Sequence, residues 1–270
     1  MKRVHALIIL VLILSILSIP FVLATTTPEG PQTLTVVNSS RRTPAPSSSL
    51  QATAGNVTHL NIAANTVTQS WQGFVGNITG TITLDDSRNN TLYDWQAADP
   101  EGEIYATYLQ TVDWSLGNVQ CWNWTHTVAS YLQLVELETN PAAGDGAPNV
   151  YGGIGALADD PDGVNETFTA PGLGMHASFY VGSQLINGSL GPSCPITRLY
   201  NSTGQGTFQE VILYHDGTGA SNDGVIYTAI INQSVIGYDT QRWDFEMIVG
   251  ENGHEGDVTP ITYYFYVELQ

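Results

Sequence analysis

The chain has 270 residues, 42% of them apolar and only 12% charged, with a net charge of −18 and a sequence pI near 4.3. Setting aside Lys2 and Arg3 near the start leaves no lysine and a charge of about −20, which argues against nucleic acid and anionic lipid as partners. Such an acidic surface suits cations or a salty medium, and at its simplest keeps the chain soluble.

Residues 1–24 combine the basic Lys2–Arg3 start with an apolar run from Ala6 and end in Val22-Leu23-Ala24, which reads as a signal-peptidase site. The 19 residues from Ala6 to Ala24 nearly match the length that spans a bilayer as a helix, so the segment is a signal peptide or an N-terminal membrane anchor. It is the one route to a membrane, because the strand-like C-terminal end predicts no anchor there. The expected location is extracellular or at the cell surface.

Residues 25–55 are rich in Thr, Ser and Pro and read as an extended linker or stalk. One β-capable stretch lies inside, Thr33-Leu34-Thr35-Val36-Val37, able to join the sheet of its own domain or that of a neighbour.

Residues 56–270 read as one domain. Strands are predicted at Val57–Ile62, at Gly73–Leu84 with glycine kinks, at Leu92–Trp95 and at Glu103–Leu109. Thr127–Glu138 carries apolar residues at helical spacing and supplies the one short helix. Further strands follow at Ala177–Gly182, Phe208–Tyr214, Gly224–Ile231, Trp243–Val249 and Ile261–Leu269, the last two predicted to form a hairpin around the polar, glycine-rich loop 250–257. The fold class is mostly β: an antiparallel β-sandwich of the immunoglobulin-like or jelly-roll kind.

Nine Asn-x-Ser/Thr sequons start at Asn38, Asn56, Asn77, Asn89, Asn123, Asn165, Asn187, Asn201 and Asn232. Composition alone predicts roughly three, so the excess points to an exported N-glycoprotein. The two cysteines, Cys121 and Cys194, are expected to pair in that setting.

Chemistry is sparse. The sequence holds no nucleophile elbow, phosphate-cradling loop, metalloprotease helix or haem-attachment motif, and its six histidines lack ligand spacing, so no enzyme activity and no cofactor is expected. Three acidic loops offer oxygens to a hard cation, at Asp85–Asp86, at 159–166 and at Asp216–Asp223. In the densest, Asp160, Asp162 and Glu166 partly match a calcium loop without its full Asp-x-Asp-x-Asp-Gly order, and a solvated acidic turn is the favoured reading. Trp122 and Trp124 share one face of a strand, which suits a sugar platform or core packing.

Several strings are specific enough to carry a likeness: Trp71–Leu84, Asn90–Trp95, Gly102–Tyr105, Asp162–Phe168, Asp244–Val249 and Thr262–Leu269. Across most of residues 65–270 the chain resembles an uncharacterised family of secreted or surface-exposed archaeal β-rich proteins. The resemblance implies an extracytoplasmic setting and carries no activity.

Two functions follow. The first is a non-catalytic structural, envelope or adhesive glycoprotein, self-associating or binding other envelope proteins, with β-strand addition as one means of assembly. The second is an extracellular module that binds carbohydrate or calcium.

Overall fold

The structure is a computed structural model that describes residues 26–68, 70–96, 100–115, 117–122, 162, 167–168, 175–188, 194–216, 224–251 and 260–270. The described residues form fourteen strands and no helix, arranged in several antiparallel sheets, none of them closed. The predicted helix at 127–138 and the leader at 1–24 lie outside the described residues.

The centre is a six-stranded sheet. Its order is β14 (Tyr264–Leu269), β4 (Gly102–Thr107), β10 (Gly224–Ile230), β9 (Gly206–His215) and β5 (Val119–Cys121), with β8 (Ile196–Tyr200) also paired to β9. Every residue of β4 is buried, and so is nearly every residue of β10. Strands covered on both faces need apolar residues at odd and even positions alike, and both are mostly apolar, interrupted by the buried Glu103, Thr107 and Thr228.

Alternation sends the two sets to opposite faces. Ile104, Ile212, Tyr227 and Ala229 join a core completed by β1 (Trp71–Gly76) and β13 (Phe245–Gly250), whose Phe74, Met247 and Val249 pack onto it. Tyr105, Val211, Leu213 and Ile226 join a second core, covered by the ribbon of β6 (Phe179–Val181) and β7 (Gln184–Ile186). Cys121 and Cys194 form a disulfide that ties β5 to the residues entering β8.

Three expectations differ. Gly73–Leu84 is not one strand: β1 pairs with β13, the chain bends at residues 77–80, and β2 (Thr81–Asp85) pairs with β3 (Thr91–Gln96) as a separate ribbon. At Gly80 a Cβ would meet Leu269 Cδ1 at 2.6 Å, so the bend passes against the Leu269 side chain of β14. Val57–Ile62 forms no strand, and its apolar side chains are exposed.

The last two predicted strands do not pair with each other. β13 pairs with β1 in the covering layer, whereas β14 pairs with β4 at the edge of the central sheet. Phe265, Val267 and Leu269 face one core and Tyr266 faces the other, a two-sided demand that only the central sheet meets. The ribbon β11 (Val235–Ile236) with β12 (Arg242–Trp243) completes the set.

Candidate assembly surface

β14 is an edge strand, paired to β4 on one side. On its other side lies the start of the stalk. Glu29 N–H donates to the Val267 carbonyl at 3.0 Å, and Val267 N–H donates to the Glu29 carbonyl at 2.8 Å. The Thr26 hydroxyl donates to the Leu269 carbonyl at 2.6 Å, and Pro28 is buried beside them. An edge strand's unpaired backbone groups invite another strand, and here residues 26–29 satisfy part of that row.

Beyond this contact the stalk and the chain after it are exposed over residues 32–66, Leu34, Val36 and Val37 being 66%, 80% and 94% exposed, and Thr33–Val37 joins no sheet among the described residues. Residues 31–68, fully extended, reach on the order of 100 Å.

Two glutamates anchor the edge from inside. Glu268 on β14 stands opposite Glu103 on β4, and both are buried. Glu268 accepts from the Tyr105 hydroxyl and from Gly182 N–H, each at 3.1 Å, and from the Thr26 hydroxyl at 3.4 Å. One carboxylate thus joins the central sheet, the β6–β7 turn and the docked stalk. Burial raises its pKa despite these donors.

Glu103 has less support, taking one hydrogen bond from the Gln270 side-chain amide at 3.0 Å. Burial, and then the nearby Glu268 charge, push its pKa up to about 9, so at neutral pH it is a protonated acid. It lines an open cleft of about 500 Å³ together with Glu101, Ser178, Asn232, Ser234 and Gln270.

The sequons differ in exposure. Asn38, Asn56, Asn77, Asn89 and Asn232 are exposed, Asn187 and Asn201 are half-buried, and Asn123 and Asn165 lie outside the described residues. At the β8–β9 turn, Asn201 Oδ1 accepts from Thr203 N–H, the Thr203 hydroxyl and Gln205 N–H at 2.8–2.9 Å, an Asx turn built from the sequon itself.

The predicted calcium loop is represented by Asp162, since Asp160 and Glu166 lie outside the described residues. The Asp162 carbonyl accepts from Trp71 Nε1 at 2.6 Å and its carboxylate from the Thr68 hydroxyl. Among the described residues no group of three or more His, Cys, Asp or Glu is placed to hold a metal ion. His176 and His215 serve the backbone instead, each accepting from a main-chain N–H, of Cys194 and Asp113 respectively.

Trp122 is a core residue, edge-on to Tyr214, while Trp124 lies outside the described residues. Among the described residues the exposed tryptophan is Trp95 on β3, which with Tyr93 forms an edge-to-face pair whose ring centres are 4.9 Å apart.

Sequence reasoning missed Thr26, Glu29, Glu103 and Glu268. A glutamate inside an apolar strand is the one visible signal, at Glu103-Ile-Tyr-Ala and Tyr-Val-Glu268-Leu. Among the described residues no helix is long and apolar enough to cross a membrane. Comparison with family models, curated proteins and solved structures finds no match for this chain.

Proposed function

We propose that the chain is a non-catalytic, N-glycosylated protein of the cell surface, an antiparallel sandwich displayed on a stalk that links subunits by β-strand addition. One observation carries the assembly part: the start of the stalk pairs its backbone with the open edge of β14, while the rest of it is exposed and long enough to reach another molecule. The same contacts made to the β14 of a second copy cost nothing in hydrogen bonds and need only a linker of sufficient reach.

The extracytoplasmic setting draws on the leader, the sequon excess, the Cys121–Cys194 bridge and the likeness to exported archaeal proteins. Intact mass and N-terminal sequencing of the native protein test it. The reading requires glycan mass on the exposed sequons, and an unmodified chain purified from the cytoplasm sinks it. Assembly is tested by solution mass with and without residues 25–50.

A further inference from the structure

Among the described residues the β2–β3 ribbon has no third strand. Register sets Ile82 opposite Trp95 and Leu84 opposite Tyr93, so these four share one face, with Thr81, Thr83 and Asp94 on the other. The apolar face belongs to neither core, and Leu84, Tyr93 and Trp95 remain 49%, 59% and 52% exposed. Two strands alone are marginal in water, and a third strand with a covered apolar face is what such a ribbon lacks.

Thr33–Val37 has the complementary deficiency. It alternates Thr33, Thr35 with Leu34, Val36, the same polar-on-one-face, apolar-on-the-other pattern as the ribbon, and it is long enough to span most of β3. Charge agrees. The stalk carries Arg41 and Arg42 against the single Glu29, whereas residues 69–270 carry 24 acidic residues against three arginines.

We infer that Thr33–Val37 of one copy adds to the outer edge of β3 in a second copy, antiparallel, with Leu34 and Val36 extending the Ile82–Leu84–Tyr93–Trp95 face. This direction sets the two arginines of the stalk beside the acidic pair at the β2–β3 turn. A strand antiparallel to β3 runs toward the β2–β3 turn and so delivers Arg41–Arg42 to Asp85–Asp86 there, across the intervening Asn38, Ser39 and Ser40. The reverse direction carries the arginines toward the end of β3 that Asp99 and Glu101 follow in sequence, so the Asp85→Arg/Asp86→Arg variant tells the two directions apart.

This inference rests on the reading of stalk-mediated assembly, and its test separates the two. Sedimentation of the full-length secreted chain is compared for the native protein, Leu34→Asp/Val36→Asp, Trp95→Asp, Asp85→Arg/Asp86→Arg, and the last combined with Arg41→Asp/Arg42→Asp. The expected result is at least a tenfold weaker association for each of the first three variants, and recovery in the charge-exchanged combination. Circular dichroism of each variant identifies any that fails to fold, in which case the exposed stalk variant decides.

If Leu34→Asp/Val36→Asp associates like the native chain, the acceptor assignment is wrong. The assembly reading then survives only if deletion of residues 25–50 still dissociates the protein. A native chain that is monomeric throughout overturns both. Trp95→Asp that leaves association intact but abolishes binding to a glycan array makes the ribbon a sugar platform and overturns the inference.

Discussion

Glu103 and Glu268 face each other across adjacent strands, one a protonated acid with a single amide partner and the other a fully engaged acceptor. Both are raised by burial, as are Glu210 and Glu246 elsewhere in the fold.

The sign of the pH dependence follows. An acid whose pKa is higher folded than unfolded binds its proton more tightly in the native state, so its stabilisation is complete below the unfolded value of 4.5 and declines as pH rises through about 9. The thermal midpoint is therefore expected to be highest in mild acid and to fall steadily toward pH 9. The contribution of Glu103 is at most about 1.4 kcal/mol per pH unit. Glu103→Gln keeps the shape and an acceptor for Gln270, and is expected to raise the midpoint at pH 8 and flatten the profile. Thermal melts from pH 4 to 9 check both, and a native midpoint that rises with pH refutes the account of this pair.

Gly102 opens β4 at φ +133°, where a Cβ would lie 2.0 Å from the Glu268 carbonyl oxygen. Gly102→Ala is expected to cost more than about 2 kcal/mol by pushing β14 off β4. At Gly73 a Cβ meets nothing within 4 Å, and Gly73→Ala is expected to shift stability by less than about 1 kcal/mol. Denaturant unfolding of the two variants makes the comparison.

The disulfide closes a separation of 73 residues. Replacing both cysteines by serine is expected to cost about 4 kcal/mol by the chain-entropy model, read as a lower denaturation midpoint. An unchanged midpoint means that the bridge contributes little to the fold.

The central strands were legible because they bury both faces, which forces the apolar runs at Val211–Tyr214 and Val225–Tyr227. Pairing was not. The loop at 250–257 has the composition of a hairpin turn, yet composition reports local bending and not which layer each flanking strand enters, and β13 and β14 belong to different layers. Val57–Ile62 has β propensity but finds no partner, and propensity without a partner makes no strand. The glutamates stayed hidden for a related reason. Glu103 and Glu268 acquire their character only when strands distant in sequence pair, and Thr26 and Glu29 sit in a stretch whose composition predicts no structure.

Exposure ranks the sequons. Glycopeptide mapping of the native protein is expected to find Asn38, Asn56, Asn77, Asn89 and Asn232 modified. Unmodified asparagine at all five contradicts the exported-glycoprotein reading.

The central claim is that the stalk joins subunits, and it is tested most directly by the solution mass of the purified chain with and without residues 25–50. Sedimentation velocity at micromolar concentration is expected to show the native chain in species larger than one subunit and the deletion variant as a folded monomer. Equal mass for the two, whether both monomeric or both assembled, contradicts it.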